Sequence, residues 1–226
     1  MHQALDKKRI LLTHADRFMG PALHQTLRAQ GADVIANTDN LLLPEEPAGL
    51  IAQCGDIDVL VVNLALPAPS TPAVDVGEDE WREVFACLVD PLPRLCRAVL
   101  PQMQQRGHGK ILVMGSASAL RGMKRASTYS AARGAQLAYV QALGVEVAGQ
   151  NIQVNAIAQN FVDNPTYFPA SVQENPRFQE RLKREVPLGR LVGAEEDAAF
   201  AAFLCSDAAN HFVGQVFPVC GGWVQR

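Results

Sequence analysis

The chain has 226 residues, 48% of them hydrophobic and 19% charged, with a formal net charge of −3. That is length for one domain with a sizeable core, and it excludes a disordered chain. Its 17 glycines and 14 prolines exclude collagen-like and low-complexity readings, and it lacks the basic excess of most nucleic-acid binders.

The predicted elements alternate. Arg9–Thr13 reads as a buried strand and Met19–Gln30 as a helix stopped by Gly31. Ala32–Ala36 is a second strand, followed by Asp39 as a turn residue. Ile57–Val62 is a third strand, continuously apolar as parallel strands covered on both faces tend to be. Glu78–Leu100 is helical, with Pro91 and Pro93 bending or interrupting it. Lys110–Met114 is a fourth strand, Ser127–Gln150 a long helix and Ile152–Ile157 a fifth strand. Phe161–Pro187 is an irregular, proline-punctuated stretch with one helix near Asn175–Arg184. Glu195–Ser206 is a helix and Gly214–Val219 the last strand.

Strand and helix alternating without repeats predict an α/β fold: a Rossmann-like, doubly wound parallel sheet in a single domain over 1–226. Sites in such sheets lie beyond the carboxyl ends of the strands. That directs attention to 13–20, 62–67, 115–123 and 158–168, the last opening a loop insertion over 158–187.

The apolar run Ile10–Leu12 is too short for a signal peptide, and no stretch approaches the roughly 18 apolar residues of a membrane span. The five cysteines form no C-x-x-C pair, so a cytoplasmic protein with reduced thiols is expected. The histidines form no H-x-x-x-H pair, and no metal site is expected.

The fourth strand runs into Gly115-Ser116-Ala117-Ser118, and Tyr129 and Arg133 follow on the long helix. Positions i and i+4 share a helix face, and a fixed positive charge beside a phenol favours its deprotonated form. With a serine hydroxyl at the strand end to hold an oxygen, this makes a proton-transfer site for an alcohol. Taken alone the pair reads more readily as a surface pair; its place after a strand-end serine is what favours the functional reading. Gly115–Ala119 does not satisfy G-x-S-x-G, which argues against a serine hydrolase.

This order of elements, the Ser116–Tyr129–Arg133 spacing and Gly221-Gly222 resemble the short-chain dehydrogenase/reductase superfamily over nearly the whole chain. Three departures carry more information than the match. The superfamily's T-G-x-x-x-G-x-G loop reads here Thr13-His14-Ala15-Asp16-Arg17-Phe18-Met19-Gly20, keeping only Gly20 of three glycines. The middle glycine lets the backbone approach a pyrophosphate, so Phe18 puts a ring where the cofactor lies in relatives. Arg133 replaces the lysine that follows the tyrosine, and the Pro-Gly after the fifth strand is replaced in Ala158-Gln159-Asn160-Phe161-Val162. The N-N-A-G element after the third strand is altered to Val62-Asn63-Leu64-Ala65.

Ser-Tyr-Arg, the aromatic in the glycine loop, Asn160-Phe161, Tyr167-Phe168-Pro169 and the stretch Gly214–Trp223 together resemble the halohydrin dehalogenases. The resemblance implies a reaction without cofactor: a vicinal haloalcohol closes to an epoxide and releases halide and a proton. Tyr129 takes the hydroxyl proton, Arg133 supports it and relays the proton to solvent, and Ser116 holds the substrate oxygen. A halide pocket of aromatic edges and backbone N–H groups draws on Phe18, Gln159, Asn160, Phe161 and Val162, closed by Tyr167 or Phe168. Ordinary loop packing is the alternative for Phe161, Tyr167 and Phe168. Where the family often has proline this chain has Gln159, which alters the polarity of the pocket. Leu66, Ser118, Leu120 and Met123 are the expected substrate contacts, Ser118 being equally a turn cap.

In reverse, such enzymes open epoxides with small anions: halide, azide, cyanide or nitrite. The resemblance also implies a homotetramer, for which Ala131, Ala135, Leu137, Val140, Leu143, Gly144 and Val147 offer small or apolar positions that could also serve the protein's own core. Two alternatives stay open: an NAD(P)-dependent short-chain oxidoreductase with a degenerate loop, and a silent small-molecule-binding protein.

Overall fold

Val59, Leu60, Val61 and Val62 are all buried, and each such side chain is worth roughly 1.5–3 kcal/mol when taken from water. A strand apolar on both faces must be covered on both, and it lies at the centre of a sheet. In a computed structural model, which describes residues 4–225, six strands lie parallel: β1 (Arg9–Leu12), β2 (Asp33–Ala36), β3 (Val59–Val62), β4 (Gly109–Ser116), β5 (Ile152–Gln159) and β6 (Val216–Val219). Their order across the sheet is β2-β1-β3-β4-β5-β6. The expected α/β, doubly wound arrangement in a single domain is what the chain adopts. Residues 1–3 and 226, within the single domain expected over 1–226, lie outside the described residues. No helix among the described residues is long and apolar enough to cross a membrane.

The helices are α1 (Gly20–Ala29), α2 (Glu46–Cys54), α3 (Glu78–Leu88), α4 (Pro91–Arg106), α5 (Ser118–Arg121), α6 (Ser127–Val147), α7 (Ala170–Gln173), α8 (Pro176–Glu185) and α9 (Ala194–Cys205). One face of the sheet packs residues of α2, α4 and α6; the other packs α1 and α9.

Several elements differ from expectation, the unexpected short helices α5 and α7 among them. Helix α2 went unread because Pro44, Pro47 and Gly49 break the helical pattern; Pro47 is tolerated because it falls in the first turn, where an amide has no partner anyway. The helix expected over Glu78–Leu100 is two: Pro91 opens α4, which continues through Pro101 to Arg106 and stops at Gly107 with φ 70°. Within the stretch 161–187, α8 begins one residue past Asn175, whose side chain accepts a hydrogen bond from the Arg177 N–H at 2.9 Å.

Helix α6 carries the paired tyrosine and arginine and lies against β4 and β5. Leu137, Val140, Leu143, Gly144 and Val147 face this chain's own core, and Ala131 alone of the seven positions considered for a partner is fully exposed. The turn before α1 is equally close-packed. A Cβ on Gly20 would stand 2.4 Å from the His14 carbonyl oxygen. Gly20→Ala is therefore expected to cost about 1–3 kcal/mol or more in urea unfolding, because backbone rather than a flexible side chain must move.

Candidate functional site

A cavity of about 360 Å³ lies at the carboxyl ends of β4 and β5. Ser116, Tyr129 and Arg133 are on its wall, as are Phe18, the run Gln159–Val162, Tyr167, Phe168 and Met123. Leu66, Ser118 and Leu120, expected as substrate contacts, are not. The Leu66 carbonyl accepts from the Tyr167 hydroxyl at 2.9 Å, Leu120 packs into the core, and Ser118 is buried behind Ser116. The Ser116 and Ser118 hydroxyl oxygens are 2.9 Å apart, and Ser116 Oγ accepts from the Ser118 N–H at 3.2 Å. Ser118 thus orients the serine that faces the cavity and opens α5.

Tyr129 and Arg133 are one turn apart on α6, with the guanidinium carbon 5.1 Å from the phenol ring centre. Arg133 is only 5% exposed. Its Nη1 donates to the Met114 carbonyl at 3.1 Å and to Gln136 Oε1 at 3.0 Å, and its Nη2 donates to the Leu64 carbonyl at 3.1 Å. Nε has no partner. No carboxylate of the described residues pairs with it. A buried cation held only by neutral oxygens is costly, and a negative charge beside it offsets that cost. On the cavity side it faces the Tyr129 ring and open space that an anion could enter. Arg133 itself cannot relay a proton as expected, because a guanidinium does not release one and its bonds turn inward to carbonyls.

Tyr167 closes against this pair. Its hydroxyl donates to the Leu66 carbonyl and accepts from the Ala68 N–H at 3.1 Å. Burial first, and then the adjoining Tyr129 hydroxyl, hold its phenol above the ordinary range, so it stays protonated.

The former glycine positions keep the left-handed backbone without glycine. His14 has φ 44° and Phe18 φ 49°, conformations that cost a non-glycine residue about 1–3 kcal/mol each. Each side chain is put to use. The Phe18 ring enters the cavity and lies 4.9 Å from that of Tyr167, centre to centre. His14 Nδ1 accepts from the Ala65 N–H at 3.2 Å. Burial and then Arg17 hold the imidazole below its ordinary value of 6.5, with Asp16 opposing. It therefore stays neutral, with its proton on Nε2. The contribution of this contact is present above about pH 6.5 and lost as the ring protonates below it. We expect His14→Phe to cost about 1–3 kcal/mol in urea unfolding at pH 8, since the Ala65 N–H loses its acceptor. His14→Asn, which tolerates the left-handed turn, should cost less.

Asn63, met in the sequence only as part of the altered element Val62-Asn63-Leu64-Ala65, ties this turn together. Its Nδ2 donates to the His14 carbonyl at 3.0 Å and to the Arg17 carbonyl at 3.1 Å. An amide at the end of an otherwise apolar strand, facing a loop at the neighbouring strand end, was the available signal.

The segment after β5 differs from expectation in its donors. The Phe161 N–H is turned back on Asn160 Oδ1 at 2.9 Å, and the Asn160 N–H donates to the Val219 carbonyl at 3.1 Å. These two backbone groups are already used and cannot also receive an anion. Rings supply more of the wall: Phe161 stacks on Phe168 at 6.0 Å and meets Trp223 edge-on at 6.1 Å. Two further wall residues, Lys124 and Arg181, went unnoticed in the sequence because only folding brings them to one cavity. No group of three or more potential metal ligands occurs among the described residues.

Comparison with known proteins adds the following. Residues 47–224 match the family model described as enoyl-(acyl carrier protein) reductase. The chain is 30% identical to the 3-oxoacyl-[acyl-carrier-protein] reductase FabG of Escherichia coli (strain K12), over 94% of this chain and 95% of that one. Among solved structures it resembles a dehalogenation enzyme, with TM-score 0.92 and 32% identity over 98% of this chain and 100% of the other. A halohydrin dehalogenase bound to ethyl (2S)-oxiran-2-ylacetate superimposes with TM-score 0.89 and 27% identity, over 97% and 99% of the two chains.

Proposed function

Since the chain belongs to the short-chain dehydrogenase/reductase superfamily, yet places a phenylalanine ring where that fold's nucleotide loop needs a glycine, we propose that it is a halohydrin dehalogenase acting without a nucleotide cofactor. The observation that carries this reading is Phe18, left-handed in backbone and tilted against the Tyr167 ring inside the cavity that holds Ser116, Tyr129 and Arg133. A nicotinamide nucleotide requires a loop whose backbone can approach the pyrophosphate unobstructed. The Phe18 ring and the His14 side chain do not fit that group.

In the proposed reaction, Ser116 donates a hydrogen bond to the hydroxyl oxygen of a vicinal haloalcohol. The Tyr129 phenolate takes the hydroxyl proton. The oxygen then forms a bond to the adjacent carbon while the carbon–halogen bond breaks and its electron pair leaves with the halide. Epoxide, halide and one proton result, the proton passing from Tyr129 to water in the cavity. Alignment and proton removal supply the acceleration, with no covalent enzyme intermediate. A large, polarisable halide suits the ring edges of Phe18, Phe161 and Phe168. In the reverse direction a small anion in that place, such as azide, cyanide or nitrite, opens the epoxide.

The test is direct. The protein is incubated with 1,3-dichloro-2-propanol in the absence of any nucleotide, and chloride and acid are measured. Equimolar release of both is expected. The absence of chloride release across a panel of haloalcohols, together with binding of NADPH, would overturn the reading in favour of a reductase, the activity named for the Escherichia coli relative.

A further inference from the structure

The charge around the cavity runs against that of the whole chain. The formal net charge is −3, yet residues 121–125, which border the cavity, carry three cations and no acid, and α8 carries four cations against two acids. No aspartate or glutamate lies on the cavity wall. Some of these cations are already engaged. Arg121 donates to the Trp223 carbonyl at 2.8 Å, and Arg125 donates to the Ser70 carbonyl at 3.0 Å. Two reach the cavity itself. Lys124 is exposed on the wall, and no carboxylate of the described residues pairs with it. Arg181 stands 5.7 Å over the Phe161 ring and shares Glu185, at 3.2 Å, with Arg184. One carboxylate thus serves two guanidinium groups. A cleft lined by one sign of charge concentrates ligands of the opposite sign.

From this arrangement we propose that the substrate is itself an anion: a small haloalcohol bearing a carboxylate, converted to an epoxy acid, with Lys124 and Arg181 receiving the carboxylate. The inference deepens the dehalogenase reading and rests on it for the reaction, though not for the binding. It places no burden on Arg133, whose bonds are turned away to backbone carbonyls and Gln136. It also accounts for a basic rim on an acidic protein.

Two measurements test it. First, chloride release is compared for 4-chloro-3-hydroxybutanoate and its ethyl ester at low ionic strength. The acid is expected to show at least a ten-fold higher kcat/KM. Lys124→Gln and Arg181→Gln are each expected to lower the acid-to-ester ratio several-fold, and the double variant to bring it near one. An ester turned over as well as the acid, or variants that lower both substrates equally, overturn the proposal. Second, binding of 3-hydroxybutanoate, which cannot eliminate halide, is measured by titration calorimetry. The double variant is expected to bind at least ten-fold more weakly. If neither chlorinated compound releases chloride but 3-hydroxybutanoate binds with this dependence, the reaction assignment fails and the anion site stands. If 3-hydroxybutanoate does not bind, or the double variant binds it equally, the anion site fails whatever the chemistry.

Discussion

Replacing Tyr129 by phenylalanine is expected to lower chloride release from a haloalcohol by about 100- to 10,000-fold, the usual worth of a positioned proton acceptor. The substitution removes one oxygen and little else. The ring is 7% exposed, packs in the core and faces the Arg133 guanidinium, all of which phenylalanine preserves. The melting temperature should therefore change little, so that a lost rate reports chemistry rather than folding. Removing Arg133 is a less clean experiment. It strips donors from the Met114 and Leu64 carbonyls and opens a hole beside them, so rate and stability fall together. A Tyr129→Phe protein that retains a tenth or more of the rate excludes the phenol as the base.

Asp197→Asn should stabilise the protein, and increasingly so as pH rises. Asp197 is fully buried at the fourth position of α9, and neither carboxylate oxygen has a partner among the described residues. Burial lifts its pKa from 3.8 to about 7. An acid raised in the folded state stabilises folding only while protonated. Stability is thus intact below pH 3.8, is lost between pH 3.8 and about 7, and is constant above. Between pH 5 and pH 8 the loss is on the order of 3 kcal/mol, which corresponds to about 6–12 °C in melting temperature for a chain of this size. The first-turn position offsets a part of this through the helix dipole. Asparagine does not titrate, so the variant lacks this loss. Other titrating groups, His14 among them, act equally in both proteins and cancel in the difference. A stability difference between variant and parent that stays constant from pH 5 to pH 8 would contradict an unpaired acid at this position.

Much of the scaffold was readable because its signals are local. Continuous apolar runs such as Val59–Val62 mark strands covered on both faces, and Gly31 marks where a helix stops. Helix α2 was not readable, because two prolines and a glycine conceal a helix that packing nevertheless stabilises. The break between α3 and α4 was legible as a proline and ambiguous as a bend or a stop.

The candidate site divides in the same way. Ser116, Tyr129 and Arg133 could be placed on one strand end and one helix face from spacing alone, and Phe18 could be placed in a loop that wants glycine. The first three follow from strand-end position and helical periodicity, which the order of amino acids carries by itself; Phe18 follows from the resemblance of its loop to the superfamily's glycine-rich pattern. The inward bonds of Arg133, the used amides of Asn160 and Phe161, the retreat of Leu66 and Leu120 from the wall, and the meeting of Lys124 with Arg181 were decided by tertiary structure alone. Each depends on which donor finds which acceptor, or which side chain reaches which cavity, across tens of residues. Hydrogen bonds and desolvation act between neighbours in space, and only the closed fold determines who those neighbours are.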